Sequence, residues 1–76
     1  MISCNLFIWN VRELNSQAKR DSVRAVISLN RANLVCLQET KLSFVDLALA
    51  KDICGPNFTG FSFFPSDGAS GGLLLA

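Results

Sequence analysis

The chain has 76 residues, half of them apolar and 17% charged, with seven Lys or Arg against six Asp or Glu and a net charge of +1. That allows one small domain with a thin core, because a free-standing chain of this size buries only about 60% of the surface its unfolded form exposes. A disordered tail, a strongly basic nucleic-acid module and a disulfide-stapled secreted peptide are excluded: the three cysteines, Cys4, Cys36 and Cys54, are odd in number and match no zinc spacing.

No segment reaches the roughly 18 consecutive apolar residues of a membrane span. The apolar start, Leu6-Phe7-Ile8-Trp9, is too short for a signal-peptide core and has no basic residue before it. An intracellular location, nuclear or cytoplasmic, is the expectation.

Asn5 to Asn10 reads as a strand, its aromatic and β-branched centre suited to burial on both faces. Val11 to Asn15 reads as a loop. Ser16 is placed to cap a helix running to about Arg31, with Ala18, Val23, Val26 and Ile27 on its apolar side. Lys19, Arg20, Asp21 and Arg24 have the look of a solvated face, which is a commoner use of such residues than contact with DNA phosphates. Asn33 to Glu39 supplies a second, interior strand. With a helix between them, the two strands are expected to run parallel, joined by the right-handed crossover found in about 98% of such units.

Ser43 and Asp46 match a Ser-x-x-Asp capping pattern, predicting a helix over Phe44 to Ile53 that stops at Gly55-Pro56. Thr59 to Phe64 is a third strand, with Phe61 and Phe63 on one face and Ser62 and Phe64 on the other; Pro65 ends it. Ser66 to Gly71 is a turn, and Leu73-Leu74-Leu75 begin a fourth strand. A chain that ends inside an apolar strand lacks the polar exit usual for a domain, so it reads as interrupted. The order β-α-β-α-β-β predicts an α/β fold with a mixed sheet and a closing hairpin.

In open α/β sheets, ligands gather at the C-terminal ends of parallel strands. Asn10 ends the first strand and Gln38-Glu39 end the second, so neighbouring strands would bring Asn10 and Glu39 to one rim. A carboxylate beside a neutral amide suits a hard cation such as Mg²⁺, which takes oxygen ligands from one or two carboxylates, phosphates and water. The same spacing also fits a turn residue and a solvated strand end.

Three segments carry a resemblance. Ile8-Trp9-Asn10-Val11-Arg12, Cys36-Leu37-Gln38-Glu39-Thr40-Lys41 and Ser70-Gly71-Gly72-Leu73-Leu74 follow one another as in the endonuclease/exonuclease/phosphatase superfamily. Within it, the chain is most similar to the N-terminal endonuclease region of plant non-LTR (LINE-type) retrotransposon polyproteins, with their W-N-V-R-G-L-N turn, K-R-x-x-V-R helix and L-Q-E-T-K strand end. The resemblance spans essentially the whole chain but only about the first third of a complete catalytic domain.

It implies the N-terminal part of a two-sheet, DNase I-like α/β sandwich and a metal-dependent phosphodiesterase that nicks DNA. The Glu of Q-E-T-K, here Glu39, would bind Mg²⁺ or Mn²⁺, with the Asn of W-N, here Asn10, beside it. Arg12 and Lys41 flank that edge and are candidates for phosphate contact. The family's His and its later Asp and Asn residues belong to segments this chain does not contain, so residues 1–76 are expected to be a truncated domain, inactive alone. Glu13 stands where the family turn usually has Gly. If that position needs φ > 0, Glu13 adds about 1 kcal/mol of strain, as either a tuned loop or a decayed copy of a mobile element.

The remaining motifs have plainer readings. Phe61, Phe63 and Phe64 could stack bases, but strand aromatics are more often core, and the element order is not that of an RNA-recognition motif. Ser70-Gly71-Gly72 is followed by no Gly-Lys-Ser/Thr and reads as a tight hairpin. Cys4 and Cys36 read as buried strand thiols. Without a partner sheet, one face of the Phe7/Trp9, Leu34/Cys36 and Leu73/Leu75 strands is expected to lie bare and to promote self-association. Two alternatives to the nuclease remnant remain: a non-enzymatic α/β interaction fragment acting through sheet edges, and an incomplete gene model of an active nuclease.

Overall fold

The computed structural model describes residues 5–65 and 72–76; the turn expected over Ser66–Gly71 and the surroundings of Cys4 lie outside them. The elements are β1 (Leu6–Asn10), α1 (Gln17–Leu29), β2 (Leu34–Gln38), α2 (Leu47–Cys54), β3 (Ser62–Phe64) and β4 (Leu73–Leu75). They form a mixed sheet of order β1-β2-β4-β3, in which β1 and β2 are parallel and both β4 pairings are antiparallel. The expected α/β class, the parallel pair and the β3–β4 hairpin pairing are all present.

Both helices pack on one face of the sheet. Val35 and Leu37 of β2, Leu74 of β4, Val23 and Ile27 of α1, and Ala50 and Ile53 of α2 form a single buried cluster, with Phe7, Trp9, Phe61 and Phe63 packed against it. The opposite face is bare. Its cross-strand rows are Leu6–Leu34, then Ile8–Cys36–Leu75–Ser62, then Asn10–Gln38–Leu73–Phe64. Leu6, Ile8, Leu34 and Phe64 on this face are 45–59% exposed.

These rows correct the sequence reading of β1. The strand is not buried on both faces. Phe7 and Trp9 point to the helices, and the bare set of β1 is Leu6 and Ile8. A one-residue offset exchanges the two faces of a strand, and an all-apolar run has no alternation to set the phase. For β2 and β4 the bare sets are the expected Leu34/Cys36 and Leu73/Leu75.

Helix α1 begins where predicted, with the Ser16 hydroxyl accepting from the Lys19 N–H at 3.2 Å. It ends in a Schellman pattern: Arg31 N–H donates to the Ser28 carbonyl and Ala32 N–H to the Ile27 carbonyl. Arg31 occupies the left-handed position there, at φ 51°. The predicted solvated face of α1 is in part a helix–helix clamp. Arg20 and Arg24 reach Asp52 on α2 at 3.2 and 3.1 Å, Arg24 also donates to the Asp52 carbonyl, and Arg20 donates to the Leu14 carbonyl at 2.8 Å. Lys19 lies 5.8 Å from the Trp9 ring centroid.

Helix α2 starts later than predicted because Asp46 is itself the cap, its carboxylate accepting from Leu49 N–H at 2.8 Å. Phe44 and Val45 therefore precede the helix; Phe44 is 68% exposed and Val45 is buried. The stop at Gly55 is as expected. Its φ of 126° is open to glycine alone at little strain, and its N–H closes the last turn on the Lys51 carbonyl at 2.8 Å. Cys54, at the end of α2, is fully packed.

Candidate metal and phosphate rim

The parallel register places Asn10 directly opposite Gln38, so Glu39 is the next residue beyond the end of the sheet beside Asn10. Both predicted site residues are exposed and stand at the same rim. Asn10 closes the bottom row of the bare face, next to Gln38.

The two loops leaving this rim are joined to each other. Val11 N–H donates to the Gln38 carbonyl at 3.0 Å, Leu14 N–H to the Thr40 carbonyl at 2.9 Å, and the Asn15 side-chain amide to the Lys41 carbonyl at 3.2 Å. Thr40 N–H donates to the Gly72 carbonyl at 3.3 Å, tying the same loop to the start of β4. Val11, Leu14, Thr40 and Leu42 point inward and are buried, while Arg12, Glu39 and Lys41 point out.

The outward residues have unusual backbones. Arg12, Glu39 and Lys41 have φ of 68°, 56° and 60°. Left-handed geometry at a non-glycine residue costs roughly 1–2 kcal/mol, and such strain persists where surrounding structure holds it. Among the described non-glycine residues only Arg31 shares this geometry. Three of the four residues singled out from the sequence are thus the strained ones at the rim.

Glu13 is not among them. The positive φ expected there falls on Arg12 instead. Glu13 serves the loop differently: its carboxylate accepts from the N–H groups of Asn15 and Ser16 at 2.5 and 3.2 Å, satisfying donors just ahead of α1. Glu13 therefore carries no left-handed strain.

Among the described residues Glu39 and Asn10 offer the rim a carboxylate and an amide oxygen, both hard ligands that fit Mg²⁺ or Mn²⁺ when water and phosphate complete the shell. Among the described residues no three His, Cys, Asp or Glu side chains gather as a ready-made metal cluster. Arg12 and Lys41 add two cationic groups at the same rim. Thr40 and Asn15, which hold the loops, were missed by the sequence reading because no spacing rule marks a buried threonine in a turn. Of the other motifs, Phe61 and Phe63 pack toward the helices as core, Cys36 is only half-buried, and Ser70 and Gly71 lie outside the described residues.

A four-stranded mixed sheet with two helices on one face makes the chain an α/β layer whose parallel strands end at the rim, where ligands gather in open α/β sheets. The Endonuclease/Exonuclease/phosphatase family model matches residues 8–76, and the chain belongs to that family. No curated protein and no solved structure matches it. Among the described residues no helix is long and apolar enough to cross a membrane.

Proposed function

We propose that the rim carries part of the active site of a Mg²⁺- or Mn²⁺-dependent DNA endonuclease, and that residues 1–76 are the N-terminal portion of its domain. The observation that supports this most is that Asn10 ends β1 opposite Gln38, one residue before Glu39, with Asn10 and Glu39 both exposed. Glu39 would supply the carboxylate ligand and Asn10 a neutral oxygen beside it. Arg12 and Lys41 would hold phosphate oxygens of the DNA backbone. A bound cation would stabilise charge on the phosphate and its leaving oxygen. The chain's own part in hydrolysis is to bind and orient.

With no histidine in the chain, the portion is proposed to be inactive alone. The similarity to plant LINE-type polyproteins supports a retrotransposon origin, which sequencing the genomic DNA downstream of Ala76 for a frame encoding Asp-x-Asn and Asp-His motifs would test. The site itself is tested by calorimetric titration with Mn²⁺. Saturable binding that is lost in Glu39→Ala is expected, without nicking of supercoiled plasmid. Binding unchanged in Glu39→Ala would refute the assignment.

The bare sheet face favours a second reading, a non-enzymatic fragment that associates through that face. Its rows hold Leu6, Ile8, Leu34, Leu73, Leu75 and Phe64 with no Asp, Glu, Lys or Arg among them. Self-association without cation binding would favour it over the nuclease portion.

A further inference from the structure

We infer that Thr40 is the positioning residue of the rim, acting through Glu39; the inference rests on the reading of Glu39 as a cation ligand. Thr40 has no solvent exposure and is the one buried polar side chain among the described residues. Its hydroxyl accepts from the Leu42 N–H at 3.3 Å, its N–H donates to Gly72, and its carbonyl accepts from Leu14. The backbone of Thr40 thereby joins its loop to two other segments, the loop after β1 and the start of β4, while its hydroxyl closes the turn onto Leu42 within its own loop.

The residues on either side, Glu39 and Lys41, both take left-handed geometry. Released from the clamp, each would relax to the right-handed or extended region that non-glycine residues prefer. A change of φ at Glu39 redirects its carboxylate relative to the rim. In the held state Thr40 points in and its two neighbours point out. Asn15 reinforces it from the other loop through the Lys41 carbonyl.

In Thr40→Val the shape is kept and the acceptor removed, leaving the Leu42 N–H without its partner. Groups that orient metal ligands typically change affinity by about 10–100-fold. The test is Mn²⁺ titration of the 76-residue chain and its variants, normalised to the folded fraction by circular dichroism. Thr40→Val is expected to weaken Mn²⁺ binding about tenfold, and Thr40→Ser, which restores the hydroxyl, to recover most of it. Asn15→Ala, at an exposed position that tolerates change, is expected to weaken binding about threefold, the worth of one hydrogen bond. In a Glu39→Gln background the Thr40 substitutions should have no further effect on residual binding.

The outcomes separate cleanly. Unaltered binding in Glu39→Gln would remove the ligand reading itself. Loss in Glu39→Gln with unchanged affinity per folded molecule in both Thr40→Val and Asn15→Ala would overturn the positioning role while leaving the ligand in place.

Discussion

Asp52 on α2 accepts from both Arg20 and Arg24 of α1, at 3.2 and 3.1 Å, while its own carbonyl takes a further bond from Arg24. The Arg20 side chain is 17% exposed and the Asp52 side chain 34%. The pair lies between the exposed and buried limits, so its attraction is screened but not negligible. It fixes the two helices against each other, and through Arg20 it also holds the Leu14 carbonyl of the rim loop. Asp52→Ala is expected to lower the stability by about 1–2 kcal/mol, read from the urea midpoint. Asp21→Ala, at an exposed carboxylate, should shift the midpoint far less.

The C-terminal end of α1 offers a change in the other direction. Arg31 holds φ 51° in the position of a Schellman motif that glycine usually fills. Arg31→Gly removes the left-handed penalty and retains the backbone bonds. A gain of about 0.5–1 kcal/mol in unfolding free energy is expected. A loss would mean that the arginine side chain contributes packing the geometry does not reveal.

Buried thiols give a pH signature. Burial pushes the Cys54 thiol up to about 12. Between about pH 9 and pH 12 the unfolded chain ionises this thiol while the folded chain keeps it protonated. The unfolded state then binds fewer protons, so stability falls as pH rises through that window. The difference in stability between the parent chain and Cys54→Ala should narrow or reverse from pH 8 to pH 11. A difference that stays constant would place the thiol in contact with water.

An uncharged apolar face like the bare side of this sheet favours self-association. Ile8 and Leu34 are 59% and 45% exposed within an uncharged surface. The parent chain is expected to associate in sedimentation velocity, and Ile8→Lys combined with Leu34→Lys to sediment as a monomer. Because both sites are exposed, each substitution should alter stability by no more than about 0.5 kcal/mol. A parent chain that sediments as a monomer would leave this face without a partner.

Much of this architecture was legible because local signals agreed. Ser16 before a helical stripe fixed the start of α1, Gly55-Pro56 fixed the end of α2, and the length of α1 implied a parallel β1–β2 pair. That pairing brought Asn10 and Glu39 to one rim, while reading them as a site rested on the family resemblance. What was hidden depended on phase and on three-dimensional neighbours. Leu6-Phe7-Ile8-Trp9 has no polar alternation, so nothing in it says which pair meets the helices. Asp46 could close a capping box or be the cap, and the backbone chose the cap. Arg20 and Arg24 resemble any solvated stripe until α2 brings Asp52 against them. The left-handed residues Arg12, Glu39 and Lys41 carry no glycine signal at all, since the loop-to-loop hydrogen bonds that hold them join segments far apart in sequence.

Asn10 and Glu39 are expected to face a divalent cation together. Paramagnetic broadening of assigned amide resonances by substoichiometric Mn²⁺ tests it most directly. Broadening centred on Asn10, Gln38, Glu39 and the Asn10 side-chain amide, abolished in Glu39→Gln, is the predicted result. Broadening centred instead on the Asp21–Asp52 side of the helices, or none at all, would contradict it.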